Sequence, residues 1–99
     1  MSHNTQNNSH DLDGKILYIS QPKQISEKLT TRTLVLEGFD GNWSRPVPFT
    51  FKNGRMDALN GLKEGDWVNV QYKSLGFKGR GDGEPKYYAE NEGITCIKG

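Results

Sequence analysis

The chain reads as an all-β protein, a five-stranded barrel with one short helix between its third and fourth strands. Two observations predict this. Val47, Phe49 and Phe51 alternate with Pro48 and Thr50, and Val68, Val70 and Tyr72 alternate with Asn69 and Gln71. That is the two-residue period of strands with one face in a core. Between those runs Met56, Leu59 and Leu62 recur at every third position. This spacing puts them on one face of a helix of about two turns, able to plug one end of a barrel.

The remaining elements follow in chain order. A first strand is predicted over 12–21, where Leu12, Gly14, Ile16 and Tyr18 alternate with Asp13, Lys15, Leu17 and Ile19, apolar on nearly both sides. Gly14 within it implies a bend or a close backbone approach. After the turn-prone Gln21-Pro22-Lys23, a second strand over 29–39 is rich in β-branched residues, Thr30-Thr-Arg-Thr-Leu-Val-Leu36. Phe39-Asp-Gly-Asn-Trp-Ser44 reads as a loop from its turn residues, and the third strand occupies 45–51. The helix spans 55–61, with Asn53 as its predicted N-cap, Asp57 in its first turn, and Gly61 as a left-handed stop that folds Leu62 back toward Met56. Gly65-Asp66 turns the chain into a fourth strand over 66–77. A flexible loop with Gly76, Gly79, Gly81 and Gly83 runs to Pro85, and the fifth strand covers 86–97. This strand order, with its helix between the third and fourth strands, is that of the oligonucleotide-binding (OB) fold. OB folds bind along strands two and three and through the loops joining strands one to two and four to five.

A chain of 99 residues is long enough for one domain with a single core. Residues 1–10 are polar, aperiodic and free of aromatics, so they read as a disordered tail ahead of an OB-fold domain over 11–98. The mean hydropathy is -0.81, and no apolar run approaches the roughly 18 residues of a membrane span. No basic-then-apolar leader opens the sequence and Cys96 is its only cysteine, so a reducing cytoplasm is expected. Flanked by Ile94 and Ile97, Cys96 reads as a small core or strand residue. His3 and His10 fall in the tail, and neither a metal-ligand spacing nor a nucleophile–base arrangement occurs. No enzymatic activity, metal, cofactor or small-molecule substrate is therefore expected.

Net charge is only +1, but its distribution is uneven. Residues 40–55 carry +2 (Arg45, Lys52 and Arg55 against Asp40), residues 73–86 carry +2 (Lys73, Lys78, Arg80 and Lys86 against Asp82 and Glu84), and the rest carry -3. Both positive segments contain an aromatic side chain, Trp43 or Phe77. Cations interleaved with aromatics suit a single-stranded nucleic acid, with charge for phosphates and flat rings for bases.

At this point the sequence resembles a known group. Gly14-Lys-Ile-Leu-Tyr-Ile19, Arg32-Thr-Leu-Val-Leu-Glu37, Pro46-x-x-Phe49-Thr50 and Leu59-x-x-Leu62-Lys-Glu-Gly-Asp-x-Val-x-Val70 are similar to a small, largely uncharacterised OB-fold family of bacteria and their phages. That family is related to single-stranded-DNA-binding (SSB) proteins, and the likeness runs over roughly 12–97. It implies the OB fold and binding of single-stranded DNA. Trp43 with Arg45 entering the third strand, and Phe77 after the fourth, resemble the base-stacking arrangement of bacterial SSB proteins. Those proteins end in a linker and an acidic tip that recruits other enzymes, whereas this sequence stops at Lys98-Gly99. Recruitment by that route is not expected.

Each candidate has its own argument. Trp43 among Asp40, Gly41, Asn42 and Ser44 is expected to stand exposed and stack a base. Trp67 has the parity opposite to Val68 and Val70, so it points outward, to a base or to a subunit interface. Phe77 reads either as a stacking residue or as an anchor for its loop. Phe49 and Phe51 share the parity of Val47 and are expected in the core. Tyr87 and Tyr88 lie on opposite faces, so one is expected outside, with Tyr87 favoured. Arg32, Arg45, Lys73, Lys78, Arg80 and Lys86 are the expected phosphate contacts, since that task needs only charge and reach. The expectation is a sequence-independent single-stranded-DNA binder, assembled as a dimer or tetramer because one domain binds only modestly. An OB module for protein interaction, or RNA binding, is the alternative.

Overall fold

In the computed structural model, which describes residues 9–79, 81 and 83–99 (without the side chains of Asp40 and Phe77), six strands and one short helix follow each other along the chain. They are β1 (Ser9–Ile19), β2 (Lys23–Ser26), β3 (Leu29–Asp40), β4 (Trp43–Lys52), a 3-10 helix (Asn53–Leu59), β5 (Trp67–Lys78) and β6 (Tyr87–Lys98). The sheet order is β1-β5-β6-β4-β3, and β1 also pairs with β3. The sheet thus closes into the five-stranded OB barrel that the alternation predicts, and β2 adds to the edge of β3.

The interior is built from the inward parity of each strand. Ile16, Leu34, Leu36, Phe49, Phe51, Val68 and Val70 are fully buried, together with Leu59 of the helix. Met56 and Leu62 pack on the same cluster, so the three-residue spacing does form a plug. Burying each such large side chain contributes about 1.5–3 kcal/mol before entropy is counted. At Gly14 β3 passes close to β1: a Cβ there would lie 2.8 Å from the Glu37 carbonyl oxygen.

Five local expectations are corrected. The helix is 3-10 over Asn53–Leu59, and Asn53 does not cap it: Lys52 occupies the N-cap position with no side-chain cap, and no acidic residue stands in the first turn. The Asn53 side chain instead pins the β2–β3 turn, accepting from the Thr30 N–H at 2.9 Å and donating to the Lys28 carbonyl at 3.2 Å. Gly61 does adopt the left-handed φ of 81°. A register shift between Ile16 and Tyr18 reverses the parity of β1, so Tyr18 is exposed while Ile19 packs on the core. The segment 39–44 is not a loop, because the β3–β4 ladder continues to Asp40 paired with Trp43. Only Gly41 and Asn42 make the turn, and the φ of 63° at Gly41 suits the first position of a two-residue hairpin connection. The fourth strand, predicted over 66–77, is β5, and the loop expected from Gly76 begins only after Lys78, because the strand keeps pairing with β6 through Gly76 and Phe77. Finally, Ser9 and His10, read from sequence as tail, pair with Lys73 and Tyr72. Residues 1–8 of that tail lie outside the described residues.

Candidate nucleic-acid interface

Two β-hairpins extend beyond the closed part of the barrel. β3–β4 forms one arm and β5–β6 the other. Their relative direction follows from a single parallel pair, Thr50 with Glu92, that joins β4 to β6. Trp43 lies upstream of Thr50 on one strand and Tyr87 lies upstream of Glu92 on the other. Parallel strands therefore carry both hairpin tips to the same end of the barrel.

That end gathers most of the expected residues. Trp43 is 74% exposed and Tyr87 is 73% exposed. Trp43 and Arg45 share the parity of Val47, Phe49 and Phe51, so they continue the inward face of β4 past the rim of the barrel. On the other arm Lys78 pairs with Tyr87, and Lys86 closes the hairpin by accepting the Gly79 N–H on its carbonyl at 2.8 Å. Among the described residues no ion pair engages Arg45, Lys73, Lys78 or Lys86. A polar hollow of about 300 Å³ at this tip is lined by residues including Lys78, Lys86 and Tyr88. The backbone of Phe77 pairs with Tyr88 in this arm, while its side chain lies outside the described residues, as does Arg80.

Tyr87 and Tyr88 are both exposed, at 73% and 48%, where only one was expected to be. The reason is architectural. This part of β5–β6 is a two-stranded ribbon standing clear of the core, so neither of its faces is covered. The Tyr88 ring instead lies across Gly79, where a Cβ would sit 2.6 Å from the ring. One aromatic was missed in sequence. Phe39, 66% exposed, pairs with Ser44 on the outer face of the β3–β4 arm, opposite to Trp43. The signal was present in the unbroken alternation of Leu34, Leu36 and Gly38 against Val35, Glu37 and Phe39.

The other expected residues are elsewhere. Trp67 points outward as its parity requires and is 53% exposed, but it pairs with Lys15 and sits beside Lys98–Gly99, at the end opposite to the arms. Arg32 pairs with Phe51, also toward that far end, and its Nε donates to the Ser20 carbonyl at 2.9 Å. Lys73 lies midway along β5, opposite Glu92.

Two further cations of the positive segment 40–55, Lys52 and Arg55, are committed to the barrel. Lys52 reaches Glu90 and Glu92, each at 3.0 Å, and Arg55 reaches Glu92 at 3.3 Å. The hydrogen bonds to Glu90 and then Glu92 raise the Lys52 pKa above its ordinary value against the opposing effect of burial. For the Cys96 thiol burial acts in the other direction and pushes its pKa up to about 11, as befits a half-buried residue packed on the core. Among the described residues no group of three or more His, Cys, Asp or Glu is placed to hold a metal ion. What the arms offer is flat rings and uncommitted positive charge at one end of the barrel.

The backbone fold is similar to that of solved SSB proteins. It is similar to the mitochondrial single-stranded-DNA-binding protein Rim1 of Saccharomyces cerevisiae, at a TM-score of 0.71 and 13% identity over 95% of this chain and 96% of that one. It is also similar to Plasmodium falciparum SSB in complex with ssDNA, at a TM-score of 0.59 and 17% identity over 98% of both chains. No curated protein matches the chain in sequence. One family model does, over residues 11–94, and the chain therefore belongs to the family described as a domain of unknown function, DUF3127.

Proposed function

We propose that this protein binds single-stranded DNA largely without sequence preference, stacking bases on Trp43 and Tyr87 and pairing phosphates with Arg45, Lys78 and Lys86. One observation carries this reading: the two arms bring to the same end of the barrel exposed rings and cations that no ion pair engages among the described residues. A single strand presents both partners at once, unstacked base faces and closely spaced phosphates, whereas a duplex hides its base faces. The likeness of the fold to SSB proteins supports it. The role is protection of transient single strands in replication, recombination or repair, without enzymatic activity. Stacking is worth about 1–3 kcal/mol per base, so a few rings and cations give one domain modest affinity, and a dimer or tetramer would multiply it through effective concentration.

Titration of the tryptophan fluorescence with oligo(dT) at several salt concentrations, beside duplex DNA and oligo(U), tests this. The expected result is quenching by the single strand, with a log–log salt slope of about -2 to -4, roughly 0.7 per phosphate neutralised. Oligo(U) binding as tightly as oligo(dT) would turn the reading toward nucleic acid of either sugar. No salt-dependent binding at all would remove it. A second reading, an OB module for protein interaction, draws on exposed Trp67 and Ile97, which share the outer face at the end away from the arms.

A further inference from the structure

β4 is an interior strand of the barrel, flanked by β3 and β6, yet it contains two prolines, Pro46 and Pro48. Proline has no N–H to give to a ladder and is ordinarily confined to sheet edges and bulges. The pairing resolves the conflict. The β3–β4 ladder is unbroken from Thr31–Lys52 to Asp40–Trp43, so the backbone groups of Pro46, Pro48 and Thr50 all point to the same side of β4. That side faces β6, because Thr50 pairs with Glu92 there and the Pro48 carbonyl accepts a hydrogen bond from the Asn91 side chain at 3.2 Å. Continuing the parallel ladder from Thr50 toward the hairpin tips would next require the N–H of Pro48 and then that of Pro46. Neither exists. The ladder stops at one pair, the Asn91 side chain meets the Pro48 carbonyl in place of a main-chain bond, and the two strands part. The cleft that opens there, of about 260 Å³, is lined by Pro48, Thr50, Ala89, Glu90 and Asn91.

We propose that Pro46 and Pro48 are positioning residues that hold the two arms apart, and that the cleft they keep open is the seat of the single strand. A strand lying there passes between Trp43 and Arg45 on one arm and Lys78 and Tyr87 on the other. With two donors restored, β4 and β6 would zip toward their tips and close that passage. The seat rests on the single-strand reading above; the separation of the arms does not.

The test is the full chain carrying Pro46→Thr and Pro48→Thr, read in two ways. Amide hydrogen exchange of the free protein reports the separation. The amides of Ala89 and Asn91 are expected to gain at least roughly tenfold protection as they acquire partners. Oligo(dT) anisotropy reports the seat, and affinity is expected to fall at least about tenfold as the cleft closes. Pro48→Thr alone, also at an exposed position, restores the donor next in line after Thr50 and should protect Asn91 even if the double variant folds poorly. Unchanged exchange in both variants would overturn the role of the prolines. Protection gained with oligo(dT) affinity intact would overturn the cleft as the seat. If wild-type protein fails to bind oligo(dT), the seat falls together with the single-strand reading, and exchange still decides what the prolines do.

Discussion

The ring of Phe51 on β4 lies directly over the α-carbon of Gly93 on β6, so close that a Cβ at that position would overlap it. The contact sits beside the Thr50–Glu92 pair that closes the barrel, so a core ring and the seam of the sheet depend on the same missing methyl group. Gly93→Ala is expected to cost roughly 1–3 kcal/mol or more, as overpacking of a rigid core does. Urea denaturation would show the midpoint falling with the slope unchanged. Phe51→Leu in the Gly93→Ala background should recover part of the loss, a coupling that a double-mutant cycle measures.

Trp43 and Trp67 offer a matched comparison, since both are exposed and sit at opposite ends of the barrel. Trp43→Ala is expected to weaken oligo(dT) binding by about 1–3 kcal/mol, while Trp67→Ala leaves it within roughly twofold. Neither substitution should move the thermal midpoint by more than a few degrees. Equal losses from the two would contradict an interface placed on the arms.

Lys52 bridges β4 to Glu90 and Glu92 of β6, with the Lys52 and Glu90 side chains about one-third exposed and that of Glu92 19% exposed. Its pKa is raised in the folded protein by those two carboxylates. A lysine raised above its unfolded value contributes stability that is fully present below the ordinary 10.5 and is lost as pH climbs through the folded value. Lys52→Met is therefore expected to cost at most about 1 kcal/mol near neutrality. The gap to wild type should narrow in high salt and again above pH 10.5, followed by chemical denaturation at each condition.

Cys96 titrates near 11 because burial disfavours the thiolate. At neutral pH its native-state alkylation by iodoacetamide is expected to run on the order of a hundredfold slower than that of an unfolded control. The sign for stability is opposite to that of a carboxylate. Above about pH 9 the unfolded thiol loses its proton first, so stability falls as pH rises toward 11. Cys96→Ala should flatten that part of the profile.

Much of the fold was legible in the chain because one face of every barrel strand is buried. The alternation of Val47, Phe49 and Phe51, and of Val68 and Val70, could serve only one register, since a slip by one residue would turn the whole set to solvent. The three-residue spacing of Met56, Leu59 and Leu62 fixed the plug for the same reason. Legibility ended where no core selects the pattern. β2 is exposed at every residue, so its Lys-Gln-Ile-Ser carries no periodic signal. Trp43 was expected in a loop because Asp-Gly-Asn concentrates turn propensity, although the turn needs only two of those residues. Both Tyr87 and Tyr88 are exposed because a two-stranded ribbon has no inside.

The sequence by itself determined which residues form the core, that the strands close around a helical plug, and which side chains bear rings and positive charge. Those properties are carried by each residue and by its spacing from near neighbours. Only the tertiary structure decided which of the candidates meet. The parallel pair of Thr50 with Glu92 brings Trp43 and Arg45 to the same end as Lys78 and Tyr87, and it leaves Trp67 and Arg32 at the other. Pairing between strands 42 residues apart in the chain is set by how the whole barrel closes. No local pattern encodes that direction.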